Sequence, residues 1–219
     1  MTSYDMRLTH QFSMFVAGCC GTGKTTFVNN IIRNHQIMIT PSIQKIIYFY
    51  SAWQDIFESL QNEVKNITFD DTTPSIESID KYTENRTIHC LIILDDLMTE
   101  IKPEFAKIFT TFRHLEISTI FLTQNIFYNN DIYRNMSRNA TYICVMKNPR
   151  DSSFINKLGY SIDSSRVKDI VKIYKQSTQK PFSYLFIDFS MKCPEALRFR
   201  TNILPHEAPM HVFIDKDKL

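Results

Sequence analysis

The sequence predicts an α/β domain, a mainly parallel sheet flanked by helices with an antiparallel C-terminal extension. Three observations carry this. Short apolar runs recur along the chain and end in polar or glycine-rich residues, which is how strands buried on both faces read. Helical patterns separate several of these runs, as crossovers between parallel strands require. Near the end, "FSYLFIDFS" and "LRFRTNIL" follow one another across "MKCPEA" with no helix between them, so they predict a hairpin. With 219 residues, 43% hydrophobic content, 4 glycines and 8 prolines, the chain suits a single domain with a full core.

The first strand, "FSMFVAG", runs into Gly18-Cys19-Cys20-Gly21-Thr22-Gly23-Lys24-Thr25-Thr26. Gly18, Gly23, Lys24 and Thr25 satisfy G-x-x-x-x-G-K-[ST], a loop whose successive backbone N–H groups face a phosphate. Phe27, Val28, Ile31 and Ile32 then recur at helical spacing. A helix N-terminus behind the loop adds its macrodipole to the attraction for an anion. In that context Lys24 is expected on the β and γ phosphates of a nucleotide, and the Thr25 hydroxyl on Mg²⁺.

The next strands are "KIIYFYS" and "HCLIILDD". The second ends in Asp95 and Asp96 beside the phosphate loop, where Asp95 can hold Mg²⁺ and Asp96 can polarise the attacking water. Aspartate at 96 is shorter than the glutamate common in ATPases, which leaves its part as base less defined than the metal role of Asp95. "DDTTPSIESIDKYTENR" reads as the most loop-like interior segment, and 102–114 as a helix. The strand "STIFLTQ" delivers Thr123, Gln124 and Asn125 to its carboxyl end, the edge that faces the ligand crevice of an open α/β sheet. Gln124 there is either a contact for the γ-phosphate or attacking water, or a polar strand end. "ATYICVMK" is the next strand, followed by a helix over 151–159.

Charge is uneven although the net is only +2. Residues 36–105 hold 5 Lys/Arg against 12 Asp/Glu, whereas 134–180 hold 10 against 3. Within the basic part, "SSRVKDIVKIYKQ" predicts a helix capped by Ser164 or Ser165. Val167, Ile170, Val171 and Tyr174 share one face, and Lys168, Lys172 and Lys175 a neighbouring stripe. That stripe reads equally as a nucleic-acid face and as a solvated helix face. Five cysteines without C-x-x-C, most in apolar stretches, read as reduced thiols of a cytosolic or nuclear protein. No apolar leader and no apolar run of 18 residues predicts neither secretion nor a membrane span. Six histidines show no ligand-like spacing with cysteine, so no zinc is expected and Mg²⁺ is the expected metal.

Taken together, Gly18 to Thr25, Asp95-Asp96 after "LIIL", Thr123-Gln124, "RNMSRNATYICVMKNPRD" and the closing "FSYLFIDFS…LRFRTNIL" resemble the FtsK/HerA superfamily of DNA-pumping ATPases. More narrowly they resemble the genome-packaging ATPases of large and medium eukaryotic DNA viruses, including the poxvirus type and those of Polinton and adintovirus elements. The resemblance spans nearly the whole chain. It implies a RecA-like P-loop core assembled as a homo-oligomeric ring, hexamer or pentamer, around double-stranded DNA, with viral capsid proteins as partners. By position it implies that Gly18 through Thr26 cradle the nucleotide, Thr25 and Asp95 hold the metal, Asp96 positions water and Gln124 acts as sensor. Such rings also place an arginine in the neighbouring site; Arg134 fits the family's spacing to Asn139 best, ahead of Arg138 and Arg150. Arg198 and Arg200 are expected to share a strand face toward solvent or another subunit, and Trp53 either packs or flanks nucleotide. Two other readings stay open: a nucleoside or nucleotide kinase, for which an arginine-rich lid is lacking, and a module that binds ATP to order an assembly without turnover.

Overall fold

The computed structural model describes residues 4–83, 87–97, 116–124, 136–149, 153–207 and 209–214. Its strands are β1 (Leu8–Thr9), β2 (Ser13–Ala17), β3 (Ile39–Thr40), β4 (Lys45–Tyr50), β5 (Ile67–Asp70), β6 (Cys90–Asp95), β7 (Ile117–Thr123), β8 (Tyr142–Met146), β9 (Tyr184–Asp188), β10 (Phe199–Thr201) and β11 (His211–Val212). The α-helices of the described residues are α1 (Lys24–Arg33), α2 (His35–Met38), α3 (Asp55–Glu63), α4 (Ile76–Tyr82), α5 (Ser153–Ile162) and α6 (Val167–Ser177). Nine strands form one sheet in the order β11-β10-β9-β8-β2-β7-β6-β4-β5, and β1 pairs with β3 alongside it.

From β5 across to β8 every neighbouring pair is parallel; β9, β10 and β11 continue antiparallel. The expected mainly parallel sheet and its antiparallel C-terminal extension are both present. Alternation along the strands divides the interior into two cores. Met14 and Val16 of β2, Leu91 and Ile93 of β6, and Ile120 and Leu122 of β7 face α1 and α3. Phe15, Ala17, Ile92, Leu94 and Phe121 face α5 and α6 on the other side. Strands buried on both faces read as continuous apolar runs for this reason.

Some elements differ from the sequence reading. Residues 75–82, expected as loop, hold α4: Ser75 caps it by accepting from the Ser78 N–H, while the Ser78 hydroxyl accepts from the Ser75 N–H. Reciprocal capping supplies the start that the polar composition concealed. α3 and β5 also lie beyond the elements expected from the sequence: Phe57 and Leu60 bury one face of α3, and Ile46 of β4 pairs with Ile67 of β5. The helix α6 is capped neither by Ser164 nor by Ser165; Arg166 holds the cap position, and Ser165 spends its hydroxyl on Asp163 at 2.6 Å. Val167, Ile170 and Tyr174 are buried as expected, and Lys168, Lys172 and Lys175 are exposed. The helix expected over 102–114 lies outside the described residues.

Arg200 overturns an expectation. It lies on β10 but is only 2% exposed, and its guanidinium donates to the Asp188 carboxylate, itself 1% exposed. Tyr4 donates to the same carboxylate at 2.9 Å, and the Phe186 ring lies 5.1 Å from the guanidinium carbon. Arg198 precedes the strand in helical conformation, so the two do not share a strand face. The β9–β10 extension is thus pinned by a buried ion pair rather than by apolar contacts alone. Three of the cysteines, Cys90, Cys144 and Cys193, are buried, with burial pushing the Cys144 thiol well up; Cys20 is exposed. Among the described residues no helix is long and apolar enough to cross a membrane.

Truncating Asp188 to alanine leaves the Arg200 charge buried and unpaired, a loss of about 3–5 kcal/mol. The paired change Asp188→Leu with Arg200→Met should cost much less. Equal urea midpoints for the two variants would show that the pair does not pin the extension.

Candidate functional site

Parallel strands end together, and the carboxyl ends of β2, β6 and β7 form one edge of the sheet. Period-two alternation aims the side chains delivered there. In β6, Leu91 and Ile93 face α1, so Asp95 faces it too; in β7, Ile120 and Leu122 do so, and Gln124 comes next in that register. Beyond β2 the chain enters the glycine loop and then α1, which begins at Lys24 with no acidic residue in its first turn. Loop, Asp95, Asp96 and Gln124 therefore meet in one cleft of about 740 Å³.

Two glycines have distinct reasons. Gly18 is buried, and a Cβ there would lie 2.6 Å from Thr22 Oγ1 and 2.7 Å from Met146 Cβ, so the loop could not close over β8. Gly23 sits at φ +93° as the N-cap of α1, a conformation L side chains rarely adopt. The first helical N–H groups have no intrahelical partners and remain available to an anion. Thr22 ties the loop by donating to the Cys19 carbonyl at 2.8 Å. The Lys24 ammonium folds over it, donating to the carbonyls of Gly18 at 2.7 Å and Cys19 at 3.1 Å.

Asp95 is 6% exposed. Tyr48 donates to its Oδ2 at 2.8 Å, and the Thr25 hydroxyl lies 3.5 Å from the same oxygen. Burial raises the Asp95 carboxyl above its ordinary value and Asp96 adds to this, while Tyr48, Lys24 and Thr25 pull it back. A hydroxyl and a carboxylate are the hard oxygen donors that Mg²⁺ takes. The donor set fits that ion. Asp96 is exposed at φ +56°, which turns the chain out of β6 and leaves its carboxylate at the cleft. Gln124 is also exposed and lines the cleft. Of the loop residues, Cys20, Gly21, Gly23, Lys24, Thr25 and Thr26 line it too, while Gly18, Cys19 and Thr22 shape the loop from behind.

Arg134 and Arg150 lie outside the described residues, as do Asn125 and residues 125–135 generally; Arg138 is exposed. Trp53 does not line the cleft. It packs edge-on against Tyr50, Phe57 and Phe69, and its neighbours Tyr50, Ala52 and Gln54 reach the cleft instead. Sequence reading missed the far wall, built by Phe182, Tyr184, Leu204, His206 and Glu207. Tyr184 donates to the Glu207 carboxylate, and the Phe182 ring comes within 3.3 Å of where a Gly23 Cβ would stand. No local motif announces these residues; the antiparallel extension brings them across the loop. Tyr48 was detectable, since β4 pairs Tyr50 with Asp95 and Tyr48 shares that face two residues earlier.

A glycine loop capping a helix, with a buried acid at the end of an adjacent parallel strand, defines a P-loop NTPase of the RecA-like α/β class. Residues 2–204 match the Poxvirus A32 protein family, and the chain belongs to it. Among solved structures, the genome packaging NTPase B204 from Sulfolobus turreted icosahedral virus 2 in complex with ATP-gammaS is similar at TM-score 0.55 and 13% identity, covering 82% of this chain and 93% of that one. B204, the DNA-packaging ATPase from Sulfolobus Turreted Icosahedral Virus, matches at TM-score 0.55 and 12% identity over the same shares. The AMP complex of the former covers 92% of this chain and 96% of that one, at TM-score 0.52 and 10% identity. At such identities the likeness is one of fold. No curated protein matches the chain.

Gly18→Ala is expected to cost about 1–3 kcal/mol through overpacking against Thr22 and Met146. It should also shrink the rise in unfolding temperature that ATP produces. A variant with wild-type stability and an unchanged ATP response would mean that the loop does not close as described.

Proposed function

We propose that this chain is an ATP-hydrolysing double-stranded DNA translocase that packages a viral, or virus-derived, genome into a capsid. The observation that carries the reading is Asp95, buried at the end of β6 beside the Thr25 hydroxyl and in the same cleft as Lys24. Membership of the Poxvirus A32 protein family supports it, as does the shared fold with structures described as genome-packaging NTPases. A nucleotide kinase would need an arginine-rich lid, and no short arginine cluster in the sequence supplies one.

In the proposed mechanism, Lys24 leaves the Gly18 and Cys19 carbonyls for the nucleotide phosphates, and the N–H groups of the first α1 turn hold the same oxygens. Thr25 and Asp95 would hold Mg²⁺, which would supply charge neutralisation for phosphoryl transfer. Asp96, free of the strand, orients the attacking water; Gln124 reads the γ-phosphate from the next strand end. An arginine of a neighbouring subunit, Arg134 first and Arg138 second, completes the site in a ring of five or six copies. The exposed Lys168, Lys172 and Lys175 of α6 offer phosphate contacts to duplex DNA. Capsid proteins are the expected docking partners at the site of virion assembly within the host cell.

Steady-state ATP hydrolysis with and without long duplex DNA at low salt tests the reading. Strong stimulation by duplex, abolished by Lys24→Ala, is expected; hydrolysis indifferent to DNA would refute translocation, and unchanged turnover in Lys24→Ala would refute the site. Mixing Arg134→Ala with Asp96→Ala subunits should restore part of the activity that each variant lacks, and no recovery would rule out an arginine acting in trans.

The pH profile offers a separate check. Protonation removes the Asp95 charge, and because burial raises its pKa in the free protein the acid limb of kcat/KM, which reports the free enzyme, should lie above that of an ordinary aspartate. The Tyr48 hydrogen bond opposes this rise, so Tyr48→Phe should move the limb to still higher pH. A limb that ignores Tyr48→Phe would assign it to another group.

A further inference from the structure

The opposite edge of the sheet, where the parallel strands begin, carries a second cluster. The register that pairs Ser13 with Thr119, extended three residues back, sets His10 beside Glu116. The register that pairs Cys90 with Ile117, extended one residue back, sets His89 beside Glu116 from the other side. Three residues far apart in sequence thus form one row, because β7 lies between β2 and β6.

The side chains converge. His89 Nε2 lies 3.2 Å from Glu116 Oε2, and His10 Nε2 lies 3.9 Å from the same oxygen. The imidazole rings are 4.7 Å apart between centroids. One donor atom from each residue falls within 4.8 Å of the others; a tetrahedral ion with bonds of ~2.0–2.1 Å would want them about 3.4 Å apart. Binding requires the donors to draw closer, a movement that falls to the partly exposed His89 and Glu116 side chains.

The surroundings orient all three groups. His10 is 7% exposed, and its Nδ1 lies 2.7 Å from Ser118 Oγ, an oxygen pinned by the Gln11 N–H at 3.0 Å. His89 Nδ1 faces the Ser42 carbonyl at 3.4 Å. Gln11 donates to Glu116 Oε1 at 2.8 Å, leaving Oε2 toward the histidines. Both rings thus have Nδ1 engaged by oxygen, the outer-shell arrangement that aims metal-ligating histidines; His10 Nε2 also lies 3.2 Å from the Glu116 backbone carbonyl, a contact that the ion replaces as the ring takes the tautomer whose Nδ1–H donates to Ser118 Oγ. Gln11 and Glu116 hold φ of +69° and +52° to present these side chains.

We propose that His10, His89 and Glu116 bind a divalent transition ion of the zinc class, which ties together the segments leading into β2, β6 and β7. Two imidazoles and one carboxylate select such an ion over Mg²⁺, which prefers oxygen ligands alone. Water completes the coordination on the open side, where Glu116 and His89 are partly exposed. The site lies at the sheet edge away from the cleft and stands independently of the nucleotide reading.

Zinc chloride titrated into the EDTA-dialysed full chain, followed by calorimetry and thermal unfolding, tests the proposal. Expected are about one Zn²⁺ bound per chain and an unfolding temperature raised by about 5–10 °C at a hundredfold excess over Kd. Mg²⁺ should leave the unfolding temperature unmoved in the absence of nucleotide. Both His89→Gln and Glu116→Gln, chosen because these positions are partly exposed and circular dichroism can verify their folding, should weaken binding at least tenfold. Cys19→Ser with Cys20→Ser should keep it, and Co²⁺ should give visible ligand-field bands without thiolate charge transfer. Absence of Zn²⁺ binding, binding that survives both His89→Gln and Glu116→Gln, or binding lost with the cysteines would overturn the site.

Discussion

Parallel alignment of β2, β7 and β6 is the constraint on which the rest depends. Strands that run the same way, buried on both faces, bring their carboxyl ends to one edge and their amino ends to the other. The charged groups that these three strands deliver appear at those two edges, because between them the sheet is lined mainly with apolar side chains. The cleft occupies one edge and the His10, His89 and Glu116 row the other.

Electrostatics at the cleft follow from that burial. Asp95 is the last residue of an otherwise apolar strand, and its carboxylate would be costly there without the Tyr48 hydroxyl, Thr25 and the nearby Lys24. These partners offset only part of the desolvation, so the carboxyl stays above its ordinary value. Lys24 likewise rests on loop carbonyls, a contact of modest strength that phosphate oxygens can replace. The absence of acids from the first turn of α1 keeps the helix terminus attractive to an anion. The far wall is held by its own anchors, with Arg200 and Asp188 locking β10 onto β9 so that Tyr184 and Glu207 face the loop.

The elements that the sequence makes legible are those whose physics is local. Glycines 18, 21 and 23 with Lys24 and Thr25 mark a loop that only one backbone path satisfies, and "LIILDD" marks a buried strand ending in an acid. α4 is hidden in the sequence because its seven residues carry little apolar periodicity, and its start rests on a reciprocal Ser75–Ser78 cap that serine-rich loops mimic. Ser165 was a plausible cap for α6, but Asp163 offered its hydroxyl a nearer acceptor. Arg200 departs from its expected place because alternation along a strand says which residues share a face, not whether a carboxylate waits there.

By itself the sequence determined the α/β class, the parallel core with its antiparallel end, and the segment Gly18 to Thr26 with Asp95 and Gln124 as companions. Those features depend on spacings of a few residues, where backbone geometry alone dictates the outcome. Only the tertiary structure decided that Phe182, His206 and Glu207 wall the cleft, that Tyr48 holds Asp95, and that His10, His89 and Glu116 meet. These contacts join residues tens to more than a hundred positions apart. Strand order and register create them, and neither is written in any single stretch of the chain.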